Sequence, residues 1–349
     1  MVEYKRRMDI KIVEHWDEVL DTFLPAERDI YFREEYVRLY ETDTERAVCC
    51  IVNDGEQTML FPFLSRTFEH QGQTLHDFET AYGYGGPIWH HADEQFKGAA
   101  LQEMVDELKR QNYVAGFVRF HPLLANYKGF SVGRLIEDRN TVAIDLSLEE
   151  NDIWMQEIHT KNRNVIKKGE KSGLTFVVDN DYKYLPEFIR LYDATMDKLD
   201  AADFYYFKQQ YYEEFVKSLP NSFLGVVLYD DRVVSAAIFM YEGGYGHYHL
   251  SGSDVSALKL SPNNYMLWQA AMELKRRGVK VLHLGGGTTS AEDDSLFCFK
   301  SRFSKHTYQF CLGKLIFNEQ VYHDICTDWE AKNPDKAEQY KHFLLKYKY

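Results

Sequence analysis

Leu282-His283-Leu284-Gly285-Gly286-Gly287, followed by Asp294-Ser295-Leu296-Phe297-Cys298-Phe299-Lys300-Ser301-Arg302-Phe303, constrains the architecture more than any other stretch of this chain. The first part reads as a buried strand running into a glycine-rich turn. The second reads as a short helix with one lysine among aromatic rings. Lys300 has two readings. Its stem can lie over Phe299 and Phe303 with the ammonium in water, or the ammonium can steady negative charge in a water-poor cleft at the mouth of a sheet.

The segments before and after this stretch read as more of the same sheet. A helix starts at Pro262 and ends at Gly278, feeding the strand. Runs at 223–229 and 233–241 form a hairpin across Asp230-Asp231, a third strand covers 245–251, and 308–317 closes the sheet. A basic helix over 161–172 stops at Gly173, and Ser147 with Glu150 reads as a capping box for a helix containing Ile153 and Trp154. In the N-terminal half, Asn53-Asp54-Gly55 joins two strands, and a strand over 74–84 ends in Gly83-Tyr84-Gly85-Gly86-Pro87. A helix over 96–111 then feeds a strand over 114–120. Hairpin-rich strands with helices on their faces predict an α+β or mixed α/β fold, divided near 146 into residues 1–146 and 147–349.

At 349 residues the chain is long enough for two domains, and 45% hydrophobic residues supply their cores. No apolar run approaches the roughly 18 residues of a membrane helix. Lys5-Arg6-Arg7 has no apolar block behind it, so no secretory signal is expected. Five cysteines without paired or metal spacing predict a reducing, cytoplasmic setting. A net charge of -13 argues against sequence-independent nucleic-acid binding. A local basic pocket for a phosphorylated ligand stays compatible with it.

Three further segments carry candidate side chains. In Lys161-Asn162-Arg163-Asn164-Val165-Ile166-Lys167-Lys168, Arg163 and Lys167 lie one helical turn apart, either gripping a diphosphate or lining a solvated face. In Tyr245-Gly246-His247-Tyr248-His249, the two histidines share a strand face, but no carboxylate or cysteine partner stands at metal spacing, so no metal is expected. One face of that strand is expected to line a cleft, with Tyr248 and His249 as candidate contacts. Tyr84, on its glycine turn, reaches a ligand or packs. Ser-His-acid order, a phosphate loop and a nucleophile elbow are all missing.

Taken in order, Tyr82-Gly83-Tyr84-Gly85-Gly86-Pro87, Phe117-Val118-Arg119-Phe120-His121-Pro122-Leu123-Leu124, Lys161-Asn162-Arg163-Asn164 and the 284–303 stretch resemble the FemABX family of peptidoglycan-bridge aminoacyltransferases. The resemblance spans nearly the whole chain. It implies tandem GNAT-like domains, each a mixed, mostly antiparallel sheet flanked by helices, with the catalytic site in the C-terminal one. It also implies transfer of an aminoacyl or acyl group from an activated donor, aminoacyl-tRNA in the best-known members, to an amine of a nucleotide- or lipid-linked cell-envelope precursor. The acceptor end of tRNA and a diphosphate-bearing precursor would then be the partners. Arg163 would sit on the precursor's phosphates, and Lys300, after Phe299, would stabilise the oxyanion.

The sequence departs from coenzyme A-dependent GNAT enzymes at Lys259-Leu260-Ser261-Pro262-Asn263-Asn264-Tyr265, where no glycine lets backbone amides close on a pyrophosphate. No resident cofactor is expected. An acyl-CoA or acyl-carrier N-acyltransferase acting on an amino sugar, and a non-catalytic binding module, stand as alternatives. Tyr248, His249, Asp293 and Asp294 are the candidate bases.

Overall fold

The computed structural model describes residues 6–199 and 206–349; the start of the basic stretch read against a secretory signal lies outside them. Two compact units emerge, one from residues 1–138 with 309–349, the other from 139–308.

In the first unit, β1 (Asp9–Val13), β2 (Glu45–Asn53), β3 (Thr58–His70) and β4 (Gln73–Glu79) form an antiparallel meander, and β5 (Ile88–His90) pairs with β3. The crossover helix α1 (Glu94–Arg110) is capped by Asp93, whose carboxylate accepts from the Phe96 amide at 2.7 Å. Its buried stripe, Phe96, Ala100, Leu101, Met104 and Leu108, follows helical spacing. β6 (Tyr113–Arg119) then runs parallel to β4. The last strand comes from far along the chain: within Thr307–Ile316, Leu312 to Ile316 pair antiparallel with Arg119 to Ala115 of β6.

The second unit repeats this plan. β7 (Arg134–Asp145) enters it, and β8 (Thr175–Asp179), β9 (Ser222–Tyr229), β10 (Arg232–Glu242) and β11 (Tyr245–Ser253) are antiparallel neighbours. Asp230 and Asp231 take left-handed φ of 47° and 57°, which the tight β9–β10 turn requires. Helix α2 (Thr160–Lys171) lies against α5 (Pro262–Arg276), whose buried Tyr265, Met266, Leu267, Ala270, Ala271 and Leu274 join the core of the sheet. α3 (Leu185–Lys198) and α4 (Gln209–Ser218) complete the helices before β12 (Val281–Gly286). β12 runs parallel to β11 and antiparallel to β7.

The chain therefore divides differently from the contiguous halves expected at 146. The closing strand of the first sheet is supplied by the C-terminal segment, and backbone pairing of that kind leaves no local mark in sequence. The capping box at Ser147 and Glu150 is also absent. Asp145 takes the Ser147 hydroxyl at 2.6 Å and its amide at 2.8 Å. A short helical turn begins after Glu149 instead and passes into a π-helical turn at 153–157.

The units differ in their parallel strand pairs. β4 and β6 stay joined from His76↔Tyr113 to Glu79↔Phe117, with a further bridge at Gly85↔Phe120. Phe78 fills the space over Gly116, where an added Cβ would stand 2.2 Å from its ring. β11 and β12 pair only from Tyr245↔Val281 to His247↔His283. Beyond those two buried histidines the strands part.

Candidate active site

The turn after β12 is shaped by a carboxylate. Gly285 takes φ of 77° at a register shift against β7. A Cβ on Gly287 would lie 2.4 Å from Oδ1 of Asp294, so only glycine lets that side chain approach. Oδ2 of Asp294 accepts from the amides and hydroxyls of Thr288 and Thr289 at 2.6–3.1 Å, and Oδ1 from the Leu296 and Phe297 amides at 3.0 and 2.9 Å. Those last two bonds cap helix α6 (Ser295–Lys300). The hydrogen bonds, led by the Thr288 hydroxyl, hold Asp294 well below the usual carboxylate range. As a structural hub it makes a poor base.

Helix α6 ends in Lys300, which is 8% exposed, with Phe299 and Phe303 edge-to-face at 5.6 Å. The ammonium donates to the Gly286 carbonyl at 2.7 Å, and its other two N–H groups have no protein partner among the described residues. Burial lowers its pKa to about 8, with Asp294 acting in the opposite direction. At neutral pH the side chain is still charged, with donors to spare.

Arg163 is more committed than its sequence context implied. Its Nη1 donates to the carbonyls of Trp154, Met155 and Ile158 at 3.2, 3.1 and 2.6 Å, and Nη2 to the Thr160 hydroxyl at 3.0 Å. It thus closes the end of the π-turn. Lys167, exposed on α2, places Nζ 5.6 Å from the centre of the Trp154 ring, and Trp154 packs on Trp268 at 4.7 Å. Both cations therefore converge on the 153–158 segment.

Tyr248 and His249 do not share a surface. Tyr248 pairs with Phe239 and joins the apolar cluster that also takes in Phe299; burial raises its phenol to about 12. His249 is the extra residue of a β-bulge between Tyr248↔Phe239 and Leu250↔Ile238. It points to α4, with Nε2 3.1 Å from the Tyr211 hydroxyl and its ring stacked 5.8 Å from Phe215. Burial pushes its pKa down to about 3. Tyr84 belongs to the first unit, edge-on to Tyr31, His121 and Phe310 at 5.3–5.7 Å. A hollow at the end of β11 is lined by Thr195, Lys198, Ser251, Ser253, Leu258 and Asn263.

Two residues that the motifs did not single out complete the region. Glu157, buried in the π-turn, accepts from Ser304 Oγ at 2.6 Å and meets His306 Nε2 at 3.1 Å. Nothing local links positions 149 residues apart.

Residues 158–293 match the family model described as Acetyltransferase (GNAT) domain. The second unit carries a GNAT domain. The match makes the chain an acyltransferase by class. Over the whole chain the fold is FemX-like: a crystal structure of FemX covers 90% of this chain and 99% of its own at 14% identity and TM-score 0.67. The C-terminal domain of a putative lysylphosphatidylglycerol synthetase from Agrobacterium fabrum covers 87% and 92% at 15% identity and TM-score 0.55. L-PGS from Bacillus licheniformis covers 85% and 91% at 14% and 0.54. No curated protein matches by sequence. Among the described residues, no helix is long and apolar enough to cross a membrane.

Proposed function

We propose that the GNAT domain transfers an aminoacyl or acyl group from an activated ester to an amine of a nucleotide- or lipid-linked cell-envelope precursor. The observation that carries this reading is the buried Lys300 ammonium beside the opening between β11 and β12, charged at neutral pH and using one of its three donors. As the amine attacks the ester carbonyl, the two free N–H groups of Lys300 take the developing oxyanion, and Phe299 helps exclude water. Arg163 and Lys167 would face the acceptor's phosphates. Tyr248 stays as a candidate substrate contact in this reading. Holding donor and acceptor in line supplies most of the remaining acceleration.

Aminoacyl-tRNA is the donor that the loop before α5 favours. Ser261 is left-handed, Pro262 has no amide, and the amides of Asn264 and Tyr265 bond the Ser261 carbonyl, which leaves few donors for a pyrophosphate. The GNAT match supports a second reading, an acyl-CoA-dependent N-acyltransferase on an amino sugar. Purified protein incubated with cell-envelope precursors and either charged tRNA or acyl-CoA, read by product mass, tests both. The expected result is an aminoacyl mass increment on an amine-bearing precursor, abolished in Lys300→Met. No increment with any pair, or full turnover by the mutant, would sink the proposal.

A further inference from the structure

Acyl transfer to an amine needs an acceptor for the amine's proton, and the groups described so far are poorly suited. Lys300 is charged in its role, Asp294 is committed to its six hydrogen bonds, and the Tyr248 phenol holds its proton to about pH 12. His306 is built differently. Its side chain is 44% exposed, while that of Glu157, 3.1 Å from its Nε2, is 2% exposed. A carboxylate only accepts, so Nε2 of the neutral ring carries the hydrogen and Nδ1 the lone pair. Nδ1 has no protein partner among the described residues.

The carboxylate is held on purpose-shaped backbone. The Ile158 amide reaches back to the Ile153 carbonyl at 3.2 Å, a five-residue step that makes the π-turn and seats Glu157 in the interior. Such single turns are rare and gather at functional sites. Three carbonyls from the end of the same segment hold Arg163. Ser304, which donates to Glu157, accepts from the His306 amide at 3.0 Å. The Arg302 carbonyl accepts from the His159 amide at 2.9 Å and from Asn162 Nδ2 at 3.3 Å. Lys300, His306 and Arg163 thus sit on two chain segments stitched to each other.

We infer that His306 is the general base of the transfer and that Glu157 is its positioning residue. The inference rests on the acyl-transfer reading above. The amine nitrogen bonds to the ester carbonyl carbon and gives a proton to His306 Nδ1. The carbonyl oxygen becomes an oxyanion against Lys300. On collapse the C–O ester bond breaks, and the leaving oxygen takes the proton back from the imidazolium, giving one amide and one hydroxyl with no net redox change. Glu157 on the π-turn meets the imidazole, Lys305 precedes it in sequence, and Tyr308, on which both Asp145 and Glu157 act, follows two residues later at the start of the next strand.

The test is kcat and KM against pH for the full chain on whichever donor and acceptor pair is turned over. His306→Asn should lower kcat by about 10²-fold or more and erase the acid limb, with KM within about twofold. Glu157→Gln should lower kcat about tenfold with KM within about twofold, because an amide no longer dictates the tautomer. Imidazole added to His306→Ala should restore part of the rate, a readout that a packing defect would not give. Parent-like kcat with an unchanged acid limb in folded His306→Asn overturns the assignment, as does absence of imidazole rescue where that variant is too unstable to assay. A parent chain inactive on every pair instead brings down the transfer reading, and this inference with it.

Discussion

The Lys300 ammonium donates to the Gly286 carbonyl at 2.7 Å, so the last residue of α6 is tied to the last residue of the strand that leads into it. The cation is therefore positioned by the sheet rather than by a mobile surface stem. Two donors remain for a ligand, and burial makes them expensive to leave unused.

Removing that cation should affect chemistry more than binding. Lys300→Met is expected to lower kcat by about 10²-fold, the scale of one lost oxyanion donor, with KM within a few-fold. Steady-state kinetics on the active donor and acceptor pair checks this.

The same substitution should stabilise the fold at neutral pH. A lysine whose pKa falls from 10.5 to about 8 on folding binds its proton more weakly in the folded state. Between those values the unfolded chain holds more protons, so stability rises with pH there, and the full cost is present below about pH 8. Lys300→Met should gain up to about 3 kcal/mol at pH 7, less about 1 kcal/mol for the Gly286 carbonyl left unpaired. The gain should vanish above about pH 10.5. Denaturant midpoints at pH 7 and 10.5 decide it, and a mutant weaker than the parent at pH 7 contradicts it.

Activity should also fall on the alkaline side near pH 8, as Lys300 loses its charge. Asp294 opposes the downward shift of Lys300, so Asp294→Asn should move this limb to lower pH. A pH–rate profile that keeps its alkaline limb in the variant would show that the two groups are not coupled.

Arg163 and Lys167 should separate by stability. Arg163→Ala strips the donor from three carbonyls and should cost about 1–3 kcal/mol, seen as a lower melting temperature. Lys167→Ala loses only an exposed contact with Trp154, should leave melting almost unchanged, and should raise acceptor KM.

Gly287→Ala places a methyl 2.4 Å from Asp294 and should dismantle the cap of α6, taking the Lys300 position with it. Loss of kcat together with a lowered melting temperature is expected. Parent-like behaviour would mean that the turn has another way to close.

Much of this was written locally. Alternating apolar residues, left-handed turn positions at Asp230 and Gly285, and a glycine after each of the helices that end at Lys171 and Arg276 set the strand–turn–helix order, because each depends on neighbours a few residues apart. The strand, glycine turn and lysine helix of 282–303 were legible for that reason. What tertiary packing alone decided is of longer reach. The C-terminal strand closes the first sheet, Asp145 takes Ser147 away from its expected cap, and Arg163 turns to carbonyls. Glu157 finds His306 across 149 residues. Backbone ladders and buried hydrogen bonds accept many partners of the right chemistry, so only the folded chain selects among them.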